Sequence, residues 1–186
     1  MEEPVIYRKS EDFFITPTGI RMSRDATIYS PESIVMGGKN IVFEGVVIRG
    51  DLRKDKANTT SINMGRYTYL EKNVVIRPPF RLYKSDFLYL PIKVGDHVFI
   101  GEGTVVNAAS ISSNVQIGKN CVIGRFAVIK SCVKILDNTV IPPHAVIPSH
   151  TIFGGSPGKQ VGELTDFTSE IFETLAKERY RKLQLH

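Results

Sequence analysis

The chain has 186 residues, 42% of them hydrophobic, which suits one domain with a buried core. Two cysteines, Cys121 and Cys132, exclude a disulfide framework. The formal charge of +5 is spread without an aromatic-interleaved basic stripe. A solvated surface is therefore the first reading, an acidic protein partner the second and nucleic acid a distant third. The N-terminus lacks a basic-then-apolar signal, and no apolar run approaches membrane-spanning length. A soluble, cytosolic chain without direct membrane insertion is expected.

Residues 1–33 form an aperiodic N-terminal segment with turn signals at residues 17–19 and Pro31. Apolar residues then open blocks of six at Met36, Val42 and Ile48, with Ile34, Asn40 and Val46 in a second inward slot. Asn40 is the weak member. Residues 53–63 break the count, are polar, and read as an excursion from a corner. Blocks resume at Met64, Leu70 and Ile76 and stop at Pro78 and Pro79. A second excursion, residues 80–93, carries Phe80, Leu82, Tyr83, Phe87, Leu88 and Tyr89. That much apolar surface is expected to fold over a face or to meet a partner.

From residue 94 to 158 the period of six is almost unbroken. Val94, Ile100, Val106, Ile111, Ile117, Ile123, Ile129, Ile135, Ile141, Ile147 and Phe153 open the blocks. The fifth places are small or β-branched: Val98, Thr104, Ser110, Val115, Cys121, Ala127, Val133, Thr139, Ala145 and Thr151. Only the block 106–110 is one residue short. Strand alternation sends the fifth place and the next opener to the same side, inward, and the residue between them outward. Glycine at the second place (Gly95, Gly101, Gly118, Gly124, Gly154) marks a corner needing positive φ or close approach. Cys121 falls in an inward slot as core filler, and Cys132 at an outward turn place. The period is that of hexapeptide repeats in a parallel β-helix. The pattern resembles the left-handed β-helix family, whose triangular coil takes three hexads, so these eleven blocks imply between three and four coils.

After residue 158, Leu164, Phe167, Ile171, Phe172, Leu175 and Ala176 recur at three and four. Acids come early and Lys177, Arg179, Arg181 and Lys182 late, as the helix dipole prefers. The spacing predicts an amphipathic helix over 166–182. The expected fold is thus all-β: a single-stranded left-handed parallel β-helix over 34–158, then a linker and helix over 159–186.

Three segments resemble γ-class carbonic anhydrases, β-helices that hold zinc on three histidines. The Arg49-Gly50-Asp51 corner matches theirs, but the slots that the resemblance assigns to zinc hold Arg77, Glu102 and Asn107. A zinc site needs imidazole or thiolate donors, and a guanidinium cannot serve. His97, His144 and His150 all take the fourth, outer place of a block and His186 ends the chain, so no pair shares a metal or a proton. A γ-carbonic-anhydrase-like or hexapeptide acyltransferase enzyme is the alternative to a non-catalytic protein. No catalytic residue, metal or cofactor is expected. Arg49 and Asp51 read as a structural corner ion pair, with a role at a subunit interface as second reading.

The segments at 48–52 (IRGDL), 76–80 (IRPPF), 91–100 (PIKVGDHVFI), 105–109 (VVNAA), 117–125 (IGKNCVIGR) and 134–143 (KILDNTVIPP) together are similar to the dynactin subunit 5 family. The similarity is close over about residues 34–158 and looser at both ends. It departs at 53–63, which is longer than the family's loop. The resemblance implies a non-catalytic scaffold of the dynactin pointed end, cytoplasmic and cytoskeletal, serving dynein-driven microtubule transport. Its implied partners are dynactin subunit 6, the pointed-end actin-related protein, dynactin subunit 4 and dynein adaptors.

One outer face draws attention. The residues just before successive openers there are Val47, Val75, Val105, Val122 and Val140, if Ile48, Ile76, Val106, Ile123 and Ile141 stack. The other two faces offer Lys93, Ser110, Val128 and Val146, and Phe99, Gln116, Lys134 and Ile152. A five-valine stripe is too long to leave wet. The first expected cover is the C-terminal helix, through Phe167, Ile171, Leu175 and Ala176. A partner or the 80–93 excursion is the second. The candidate interface is therefore the valine stripe with Phe80, Tyr83, Phe87 and Tyr89.

Overall fold

The computed structural model describes residues 4–53 and 59–186. The hexads become short parallel strands distributed in turn among three sheets, the sides of a left-handed parallel β-helix. Two sheets have six strands, so the prism is six coils long; the third, extended by turns of chain at both ends, has nine. Each opener lies over its equivalent in the next coil, as in the register Ile48, Ile76, Val106, Ile123, Ile141. From Val42 to Ile147 these openers are 2% exposed or less and form one continuous core. The second inward slots join them, including Val46, Val98, Ala127 and Val133. Asn40 fits this apolar column because its polar atoms are satisfied. Its Nδ2 donates to the Gly37 carbonyl (3.2 Å) and its Oδ1 accepts from the Thr68 N–H (2.8 Å).

The corners divide two demands between two positions. Left-handed φ falls on the fourth place of the block: 56° at His97, 58° at Asn114, 52° at Asn120, 61° at Phe126 and 62° at His144. Asparagine and histidine tolerate that conformation better than most side chains. The second-place glycines serve close approach. A Cβ on Gly101 would lie 2.5 Å from the carbonyl carbon of Gly118 in the coil below.

Several boundaries differ from the sequence reading. The ladders begin before residue 34, since Arg21–Ser23 and Thr27–Tyr29 pair in parallel with the second coil. Ile28 and Met36 open consecutive blocks separated by eight residues, because the 3₁₀ turn Pro31–Ser33 interrupts the strand, and this hid the first coil. Ile62 and Ile92 belong to the core, not to the excursions, and each sits two residues before an opener. Most of the 53–63 excursion, residues 54–58, lies outside the described residues. In the short block the interior small residue is Ala108, fully buried, while Ser110 faces outward beside Lys93 and Val128. Cys132 keeps its left-handed corner but is buried, not outward. Burial, with Asp166 nearby, pushes its thiol pKa up.

The helix spans Thr168–Lys182 and does not lie on the valines. It covers the face that carries Ile41, Tyr69 and Phe99 in successive coils. The Arg179 guanidinium sits 4.1 Å over the Phe99 ring, and Tyr180 packs edge-on to Tyr67. Its buried residues are Thr168, Phe172 and Ala176, whereas Phe167 and Ile171 are exposed. The physical reason is bulk: two aromatic rings and an isoleucine offer more apolar area per coil than a valine row. Beyond the helix, Leu183–Leu185 pairs with Ile6–Arg8, and Leu183 closes a second cluster with Phe13, Ile41, Phe43 and Tyr69. Arg21 ties this lid down, donating to the carbonyls of Tyr180 (2.8 Å) and Leu183 (2.6 Å).

Ile123→Asp should unfold or aggregate the protein. An unpaired carboxylate in this column costs several kcal/mol, comparable with a margin of ~5–15 kcal/mol. A soluble variant with unchanged melting would contradict the register. Truncation after Gly158 should lower the melting temperature and expose the Phe43, Tyr69 and Phe99 surface to a dye such as ANS. Equal dye binding and melting in both forms would contradict the placement of the helix.

Candidate interaction surface

The valine row stands as the alternation requires. Val47, Val75, Val105, Val122 and Val140 are partners in consecutive parallel strands, all pointing away from the axis. Val122 is 44% exposed. The row carries no charge, and at ~4.8 Å per coil it is flat and β-branched.

The 80–93 excursion is an antiparallel hairpin beside this face, with strands Phe80–Tyr83 and Asp86–Tyr89. Lys84 and Ser85 both have positive φ (47° and 68°), the two-residue turn that suits the twist of a hairpin. Cross-strand pairs Phe80–Tyr89 and Leu82–Phe87 line one side of it, while Tyr83 opposes Asp86 on the other. At the base, Phe80 packs edge-on to Phe87 (5.3 Å between centroids) and lies under the Arg125 guanidinium (4.7 Å). At the tip, Leu82, Tyr83 and Phe87 are 66%, 56% and 62% exposed. The hairpin therefore buries its root and leaves its end in water. Between it and the next coils runs a cleft walled by Arg125, Phe126 and His144. Sequence reasoning passed over Arg125 and Phe126, although both occupy an outer corner two coils below the hairpin.

At the corner beside the first coils, Arg49 and Asp51 form a two-pronged pair, Nε to Oδ1 and Nη2 to Oδ2, both 2.8 Å. Arg49 also lies 4.9 Å over the Tyr29 ring. The Arg49 hydrogen bonds hold the Asp51 carboxyl below the usual carboxylate range, and Asp51 raises the Arg49 pKa in return.

The zinc-type slots are not brought together within the chain. Arg77 and Asn107 are neighbours in successive coils, with Asn107 Nδ2 donating to the Arg77 carbonyl (3.4 Å). Glu102 stands at another corner, where its N–H donates to Glu71 Oε2 (2.9 Å). Among the described residues no group of three or more His, Cys, Asp or Glu could hold a metal ion. The histidines are dispersed: His97 stacks on Tyr67, His144 on Phe126 and His186 on Tyr7.

Comparison with known proteins adds family information. The family model described as Dynactin subunit 5 matches residues 1–185. A curated relative of that name from Dictyostelium discoideum is 37% identical over 108 residues, 58% of this chain and 50% of that protein. The chain thus spans about half the length of the curated relative it matches. Among solved structures, AntD, an N-acyltransferase from Bacillus cereus, superposes with a TM-score of 0.68 at 14% identity. That match covers 95% of this chain and 99% of AntD. A hexapeptide transferase family protein from Anaplasma phagocytophilum gives 0.63 at 16% identity, covering 87% of this chain and 89% of that one. At such identities these two show the fold alone.

The Arg49–Asp51 pair sets a pH expectation. A carboxyl with depressed folded pKa contributes stability above its unfolded value of ~3.9 and loses it as pH falls through the folded value. The difference in melting temperature between the natural protein and Asp51→Asn should be constant above about pH 5 and shrink below about pH 4. It should be small, because both side chains are 33% exposed and screened. A difference that grows on acidification would contradict the pairing.

Proposed function

The chain belongs to the dynactin subunit 5 family, and on that premise we propose that it is a non-catalytic scaffold of the dynactin pointed end. The match over residues 1–185 carries this reading. In it the protein is cytoplasmic and cytoskeleton-associated, and supports dynein-driven transport by engaging adaptors and cargo. Dynactin subunit 6, the pointed-end actin-related protein and dynactin subunit 4 are its neighbours. Among the described residues no helix is long and apolar enough to cross a membrane.

The physical properties of the surface support the same proposal. A rigid prism keeps its outer rows at fixed spacing, so a partner meets a preformed surface at low ordering cost. The uncharged valine face suits a flat, equally apolar face, such as that of a second β-helix. The hairpin, with Phe80, Tyr83, Phe87 and Tyr89, would contact the same partner at its edge. An isolated two-stranded hairpin is marginal in water, and its exposed tip gains from such contact.

Affinity purification of the tagged full chain from cell extract should bring down other dynactin subunits. Val122→Arg, a change at a half-exposed side chain, should leave melting unchanged and reduce that co-purification several-fold. Recovery of the chain alone, or as a homotrimer, would overturn the proposal. Undiminished co-purification by Val122→Arg would remove the valine face from it.

A further inference from the structure

The two ends of the prism are finished differently. At the C-terminal end the last openers Ile141 and Ile147 are at most 2% exposed, and Phe153 is half-buried. Chain folds back over that end. The Val140 N–H donates to the Gly155 carbonyl (3.0 Å) and the Gly158 N–H to the Val140 carbonyl (2.7 Å). Lys159–Glu163 adds an antiparallel strand to the nine-stranded sheet. Pro142 and Pro148 directly follow the last strands of the other two sheets, where they remove donors.

At the N-terminal end only one sheet is finished. Phe13–Ile15 lies antiparallel on Arg21–Ser23 and buries Phe13 to 5% exposure. The other two sheets stop at Thr27–Tyr29 and Ile34–Met36, with no strand beyond them among the described residues. The Thr27 N–H points down the prism to the Val46 carbonyl and the Gly37 N–H to the Met64 carbonyl, both at 2.8 Å. Neighbouring residues in a strand present their peptide groups to opposite sides, so those of Ile28 and Met36 face the open edge. The core is open there too: Met22, Ile28, Ile34 and Met36 are only half-buried. Tyr29 (45%) and Val35 (49%) form an apolar rim. The charges around it, Arg24, Asp25, Glu32 and Arg53, sum to zero. Glu32 pairs with Arg53 (3.6 Å), and Arg24 lies on the Phe14 ring and donates to the Glu11 carbonyl.

We propose that Thr27–Tyr29 and Ile34–Met36 form a strand-addition site for an extended, uncharged, alternately apolar segment of another polypeptide in the dynactin assembly. The chain's own Phe13–Ile15 supplies the pattern: an added strand completes the ladder and seals the core with one apolar side chain. The balanced rim selects a neutral segment, since a charged one would leave its charge unmatched beside the core. Residues 155–163 cover two of the three sheets at the opposite end, which blocks head-to-tail stacking of copies. This inference rests on the assignment of the chain to dynactin, and the test separates the two.

Hydrogen exchange would be measured over residues 26–37 in the isolated full chain and in purified dynactin containing it. Exchange at Ile28 and Met36 should slow by roughly tenfold or more on assembly. Val35→Lys, at the exposed edge, should abolish the slowing, whereas Val146→Lys, exposed at the finished end, should not. Both variants should melt like the natural chain. Assembly without slowing at Ile28 and Met36 overturns this inference alone, and failure to assemble overturns it together with the dynactin assignment. Equal slowing in Val35→Lys would mean that a surface covers the edge without pairing, which also overturns it. Slow exchange in an isolated chain that sediments as a dimer would assign the edge to a second copy instead.

Discussion

Three apolar side chains per coil must meet at the axis of a prism whose coils repeat every ~4.8 Å, and each must fit the one above and below. This stacking fixes most of what surrounds it. An opener displaced by one residue would point outward and turn its neighbours outward with it. The six-residue count therefore holds, and variation is pushed to the corners. Among the described residues the hairpin leaves the coil at such a corner, beyond Ile76, and begins at Phe80. Left-handed φ recurs at the fourth place of the blocks for the same reason: a triangular coil turns three times, and one residue at each turn takes the strain.

With the interior committed, the three outer faces carry whatever distinguishes this prism from others of its fold. One face bears Ile41, Tyr69 and Phe99 and is covered by the chain's own helix and paired terminal strands. A second has mixed Lys93, Ser110, Val128 and Val146. The third has the valine row with the hairpin at its side. On that side Leu82, Tyr83, Phe87 and Val122 are left uncovered by the chain, an apolar surface that serves assembly better than solution life. The likeness to acyltransferases lies in the coil. Function in this fold depends on the outer residues, and the histidines here each stack on an aromatic ring or stand apart.

The core was legible because its signal is repetition: Val94 to Ile147 could be assigned inward from spacing alone. The first coil was not, because the eight residues from Ile28 to Met36 break the period while the ladder continues. Ile62 and Ile92 were hidden inside segments whose other residues are polar or irregular. The position of the helix was misjudged for a related reason. The row Phe99, Gln116, Lys134 and Ile152 covers only the coils below the hairpin and omits Ile41 and Tyr69, which precede Val42 and Leu70. Once they are added, the aromatic face demands cover more than the valines do. Of the expected stripe Phe167, Ile171, Leu175 and Ala176, the helix buries Ala176, and it buries Phe172 in place of Phe167 and Ile171. The hairpin's apolar content is legible in the composition, which implies that it folds over a face or meets a partner. Within the chain its tip stays exposed, and its contact with Arg125 depends on how far a turn reaches across coils.

The most direct test of a scaffold that docks through the hairpin side is cross-linking mass spectrometry on native dynactin. The readout is Lys84, at the hairpin turn, compared with Lys177, on the outer side of the helix. The account predicts that Lys84 links to a different subunit while Lys177 links mainly within the chain. The reverse pattern, with Lys84 linked only to its own chain and Lys177 to a neighbour, would contradict it.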